Sequence, residues 1–63
     1  QPSRQAVEAE LERAITEALL VDLRTQVVRD FRFTWQGDQL QVAFTVVPAV
    51  GAPEWLEVMY SAV

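Results

Sequence analysis

The chain contains no cysteine, no histidine and no lysine. Without Cys and His there is no thiol nucleophile, no disulfide to staple the fold and no donor set for a structural zinc site. The lack of cysteine also leaves the redox compartment open. Serine catalysis of the usual kind needs a base beside the hydroxyl, and Ser3 and Ser61 have no His to serve them. Glycine is scarce too: Gly37 and Gly51 stand alone, so no Gly-rich phosphate loop exists. Positive charge is thin, with five Arg against nine acidic residues, a net charge of −4 and a pI near 4.4. A nucleic-acid binder neutralises phosphates with clustered cations, and this balance argues against that class. The longest aliphatic stretch is residues 18–21, far short of a membrane span of about 20 residues. Nothing resembles a signal peptide.

What is present fits one small domain over residues 1–63. A domain of this size buries only about 60% of its unfolded surface. The chain opens Gln1-Pro2-Ser3 without an initiator Met and closes on "VMYSAV". It is therefore expected to be a fragment of a longer protein, whose function it shares.

Apolar residues Val7, Leu11, Ala14, Ile15, Ala18 and Leu19 recur at spacings of three and four, which predicts an amphipathic helix. Ser3 is placed to cap its start, and its end is expected near Leu20 or Val21. Arg4–Glu8, Glu10–Arg13 and Arg13–Glu17 have ion-pair spacing on the wet side, each worth about 0.2–0.5 kcal/mol. Glu8–Glu12 opposes them, so burial of the stripe must hold the helix in place.

The stretch "DFRFTWQGDQLQVAFT" predicts a hairpin. With Gly37-Asp38 as a two-residue loop, Trp35 faces Leu40, Phe33 faces Val42, Phe31 faces Phe44 and Arg29 faces Val46. The other face pairs Thr34 with Gln41, Arg32 with Ala43 and Asp30 with Thr45. One register thus gathers the large apolar groups, and a one-residue slip would scatter them. Gly at the first loop position suits a II′ turn, and Gly-Asp also fits I′. "VPAVGAP" is a connection. Glu54 to Ser61 alternates Leu56, Val58 and Tyr60 against Glu57 and Ser61, a third strand. The competing reading is a short helix with Pro53 at its first position. The strand is preferred because the run is short and contains β-formers. The predicted fold is α+β: one amphipathic helix covering the aromatic face of a three-stranded antiparallel sheet.

Candidate chemistry is sparse. Glu8, Glu10, Glu12 and Glu17 are accounted for by the solvated helix face. A glycosidase needs two carboxylates about 5–9.5 Å apart across a cleft, and a convex helix face provides none. The aromatics Phe31, Phe33, Trp35 and Phe44 could make a base-stacking platform, but no basic groove accompanies them and a hydrophobic core accounts for them. Two residues resist so plain an account. Arg29 falls on the apolar face, where an unpaired guanidinium is costly; it must snorkel past the sheet end or pair with Asp22 or with a carboxylate of another protein. Trp55 points away from Leu56 and Val58 and leaves an indole outside beside Met59, a patch suited to cover by another protein.

The order of helix, "ITEALLVDLRTQVVRDFRF", turn "QGDQ" and "LQVAFTV" resembles the C-terminal domain of XkdS-like phage baseplate proteins. It is similar, more distantly, to the protein W and tail lysozyme-like baseplate wedge family. The matching stretches are Glu17-Ala18-Leu19-Leu20, Asp22-Leu23-Arg24, Asp30-Phe31, Gly37-Asp38 and residues 40–46, so the likeness covers residues 14–51. The wedge family's Glu-Pro-Arg step stands here as Asp22-Leu23-Arg24, keeping the acid and the Arg but not the Pro. In the family this step is implicated in contacts with neighbouring baseplate subunits. The resemblance thus implies Asp22 and Arg24 as interface residues beside Arg29, Trp55 and Met59, with a local ion pair at the helix-to-strand corner as the alternative. The function it implies is that of a structural, non-enzymatic component of a contractile phage tail baseplate or related injection machine. Partners would be other baseplate or tail subunits, with no cofactor, nucleic acid or small-molecule substrate. Such a protein resides in the virion tail, or in the bacterial cytoplasm during assembly from a prophage. The alternatives are a peptidoglycan-hydrolysing domain whose active site lies elsewhere in the parent, and a generic bacterial accessory module.

Overall fold

The computed structural model describes residues 3–61, so the last two residues of the apolar close lie outside the described residues. Helix α1 (Arg4–Leu20) is followed by strands β1 (Thr25–Gln36), β2 (Gln39–Pro48) and β3 (Glu54–Ser61). The strands form one antiparallel sheet in the order β1-β2-β3. This is the expected α+β arrangement, with 54–61 a strand rather than a helix. The molecule measures 39 × 17 × 15 Å, and its long dimension is the reach of a twelve-residue strand at about 3.3 Å per residue.

The helix begins where the sequence predicts. Ser3 is extended at φ −71°, ψ 162°, and its hydroxyl accepts from the Ala6 amide at 3.1 Å. Val7, Leu11, Ile15 and Leu19 pack on the core, but Ala14 and Ala18, expected in the same stripe, are exposed. The cause is geometric. At 3.6 residues per turn, an i,i+4 row winds about 40° around the helix at each step. Contact follows Val7, Leu11, Ile15 and Leu19 along that winding row, and the alanines are left about 100° away from it.

Among the described residues, the buried core lies entirely on the central strand: Leu40, Val42, Ala43 and Phe44. Val28, Phe31, Phe33, Trp35 and Val46 close around the three larger members. The helix approaches the sheet from the β1 side, so β2 is covered from above and on both flanks while β3 is not.

The hairpin turn is the predicted two-residue loop, with Gln36 opposite Gln39. Gly37 takes φ +61° and Asp38 does not enter the left-handed region, which is the II′ pattern rather than I′. From Trp35–Leu40 to Arg32–Ala43 the register is as expected. Beyond that point it differs. Arg29 pairs with Thr45, not Val46, and Val28 takes the place opposite Val46. Asp30 and Phe31 together span the one position of Phe44, a β-bulge, with Asp30 at φ +59°. The extra residue turns Val28 inward and Arg29 outward. Phe31 and Phe44 are therefore not register partners, yet their rings stack with centroids 5.3 Å apart.

Candidate interaction surface

The five residues singled out from the sequence fall in two places. Asp22 and Arg24 form the corner between α1 and β1. The helix ends as the Asp22 amide donates to the Leu19 carbonyl at 3.2 Å, and the Thr25 amide then donates to the Asp22 carbonyl at 3.0 Å. The Asp22 carboxylate closes this turn from the side. Its Oδ1 accepts from the Arg24 amide at 2.9 Å and from Arg24 Nε at 3.1 Å, while Oδ2 accepts from Arg24 Nη2 at 2.9 Å. The backbone contact is an Asx-type turn, and the guanidinium contact is the two-pronged form of a carboxylate–Arg pair. These bonds, the side-chain ones first, hold the Asp22 carboxyl below its ordinary range and raise the Arg24 guanidinium above its own. The pair remains in solvent, with the Arg24 side chain 89% exposed. Leu23 between them is almost wholly exposed. The local ion pair exists, and it leaves both side chains accessible.

Arg29, Trp55 and Met59 share the outer face of the sheet, away from the helix. Cross-strand pairing aligns Arg29, Thr45 and Trp55 in one row, and Thr34, Gln41 and Met59 in another. The sequence placed Arg29 on the apolar face, and that is corrected here. The bulge at Asp30 turns it outward, where its guanidinium lies 3.7 Å from the Asp30 carboxylate and needs neither snorkelling nor Asp22. Trp55 lies outward as the sequence predicts, its indole N–H donating to Glu57 at 3.2 Å. Gln41 donates to the same Glu57 carboxylate at 3.2 Å.

The larger feature is β3 itself. Trp55, Leu56, Val58, Met59 and Tyr60 are all between 39% and 55% exposed. Leu56, Val58 and Tyr60 pair with Phe44, Val42 and Leu40, so they lie on the same face as the core yet beyond the helix's cover. Tyr60 lines a shallow open groove together with Ala6, Val7, Glu10 and Leu11 of the helix. Sequence patterning marks these residues as apolar and inward, but it carries no information about how far across the sheet one helix reaches.

One helix acid behaves differently from its expected pairing. Glu8 does not pair with Arg4. Its carboxylate accepts from the Trp35 indole at 2.8 Å, while the Arg4 guanidinium lies 4.8 Å from the Trp35 ring centroid and donates to the Gly37 carbonyl at 3.5 Å. Both thus tie the helix start to the hairpin tip. Arg13 bonds Glu10 and Glu17 as expected, which lowers the Glu10 carboxyl and raises the Arg13 guanidinium. Glu12 and Glu17 flank an open groove with Ala9, Arg13 and Thr16. Among the described residues, no group of three or more acidic side chains is arranged to hold a metal ion, and no helix is long and apolar enough to cross a membrane. In comparisons with protein-family models, curated proteins and solved structures, the chain matches none.

Proposed function

We propose that this chain is a structural module that works through protein–protein contact, without turnover or cofactor, as a subunit of a contractile phage tail baseplate or a related injection machine. One observation carries the contact role: an eight-residue strand whose large apolar side chains stay 39–55% exposed on both faces. Isolated exposed apolar residues are ordinary, but a contiguous row of them is a mark of interaction sites. The baseplate assignment is supported by the resemblance over residues 14–51 and by the accessible Asp22–Arg24 corner. Other tail subunits are then the partners, meeting the corner and the outer face that carries Arg29, Trp55 and Met59. The test is to express a tagged copy in cells that assemble such tails and to sediment the particles. Co-sedimentation that weakens when Trp55 and Met59 are changed to Ser supports the proposal. A tagged chain that stays wholly at the top of the gradient sinks it.

A further inference from the structure

We infer that β3 is a self-pairing edge: two copies join β3 to β3 antiparallel about a two-fold axis, making one continuous six-stranded sheet with both helices on one face. It rests on the contact role proposed above and names a second copy as the occupant of the open edge.

The two edges of the sheet are unlike. β1 carries two register irregularities, a left-handed Asp30, and the charges of Arg29, Asp30 and Arg32, and the helix packs on its side. These are the devices that keep edge strands from pairing with other chains. Of these devices β3 has only charge, in Glu54 and Glu57. It runs from Glu54 to Ser61 in unbroken register with β2, without proline, bulge or covering helix. Its outer backbone groups form the unpaired row that a further strand completes.

Charge selects the register. A two-fold axis perpendicular to a sheet must run between the two strands, midway between one residue and its own copy, because residues directly opposite share a face. The two longest overlaps put the axis between either the two copies of Glu57 or the two copies of Val58. With Glu57 there, two carboxylates stand directly opposite, a destabilising like-charge pair. With Val58 there, every acid avoids its equivalent. Leu56 then faces the partner's Tyr60, Val58 faces the partner's Val58, and the inner apolar row continues across the junction. On the outer face Glu57 lies opposite the partner's Met59, and Trp55 opposite the partner's Ser61. The strand is thus complementary to itself in one register.

Met59 supplies a test of sign. It is 55% exposed and faces Gln41 within the monomer, so changing its charge leaves the folded chain with no opposed charge across β2. Across the proposed axis each Met59 faces the other copy's Glu57, so the pair occurs twice in the dimer. Met59→Glu should weaken the dimer about tenfold in Kd, and Met59→Lys should tighten it about tenfold, since each change acts at two symmetry-related pairs. Sedimentation equilibrium of the purified protein and both variants reads this directly, with circular dichroism melts to show that each variant is folded. A protein monomeric up to millimolar concentration overturns the inference, and so does a dimer that responds to both substitutions alike or to neither. A monomer that still joins tails overturns self-pairing and leaves the baseplate role standing. A dimer with the expected responses that is absent from tails supports self-pairing and overturns the baseplate role.

Discussion

Asp22 binds one neighbour in two ways: its carboxylate accepts from the Arg24 backbone and grips the Arg24 side chain. Replacing Arg24 removes one of these contacts, and replacing Asp22 removes both. Asp22→Ala should therefore lower the melting temperature more than Arg24→Ala, which should barely move it because the guanidinium lies in solvent. A carboxyl titration followed by NMR should find Asp22 below the ordinary range, rising toward it in Arg24→Ala. The sign follows from linkage. A carboxyl depressed in the folded state adds stability above its unfolded pKa, and loses it as pH falls through the folded value. The contribution is thus intact at neutral pH and fades only in acid. If Arg24 also meets another subunit, Arg24→Ala leaves the melt nearly unchanged but depletes the chain from sedimented tails. Normal incorporation with a large fall in melting temperature would assign Arg24 to the corner alone. At the other end of the molecule, Trp35→Phe keeps a ring under Arg4 and loses the indole bond to Glu8. It should cost about 1–2 kcal/mol in urea unfolding, and a loss near zero would mean that water replaces that bond.

Two backbone positions set the shape of the hairpin. Gly37 at φ +61° has open space where a Cβ would stand, so Gly37→Ala meets no clash and costs only the positive-φ conformation that the first position of a II′ turn requires, about 1–3 kcal/mol. Asp30 holds a similar conformation at the bulge, which a short polar residue tolerates far better than a β-branched one. Asp30→Gly should be neutral or stabilising, whereas Asp30→Val should destabilise by about 1–2 kcal/mol. Chemical denaturation of the two variants reads the difference, and equal effects would argue that Asp30 acts through its ion pair with Arg29 instead. The bulge had a trace in the sequence. Val28 and Phe31 are three apart where strict alternation requires two, and a straight register puts Arg29 inward and Val28 outward. A single inserted residue cures both misplacements, at a cost in one strained backbone that alternation alone does not reveal.

At the scale of the whole molecule, the core is thin. A domain of 63 residues at about 0.05–0.15 kcal/mol per residue has about 3–9 kcal/mol of stability in total. Phe44, 3% exposed at the centre of the sheet, should lose about 3–5 kcal/mol on replacement by Ala. Phe44→Ala should therefore be largely unfolded by circular dichroism at room temperature, while Val58→Ala, half-exposed on β3, should remain folded. Comparable losses in the two would mean that β3 is as well covered as β2. The proposed absence of turnover is tested at the same scale. Peptidoglycan incubated with the protein should show no fall in turbidity, and clearing that is lost in Glu12→Gln or Glu17→Gln would replace a contact module with a hydrolase.

Local chemistry determined the elements. The Ser3 cap, the helix to Leu20, the Gly37-Asp38 turn and the alternation in β3 each depend on neighbours within a few residues, so the sequence alone carries them. The pairing of Trp35 with Leu40 and of Phe33 with Val42 follows too, because a tight turn propagates its register outward. Tertiary structure decided the rest. Arg4 and Glu8 satisfy each other's spacing on an isolated helix, but the Trp35 ring, distant in sequence, draws both of them away. Arg29 faces outward because a backbone insertion relieves the cost of a buried charge. The open side of β3 depends on where one helix comes to rest on three strands. That is a matter of packing geometry across the sheet, and hydrophobic periodicity along each element does not encode it.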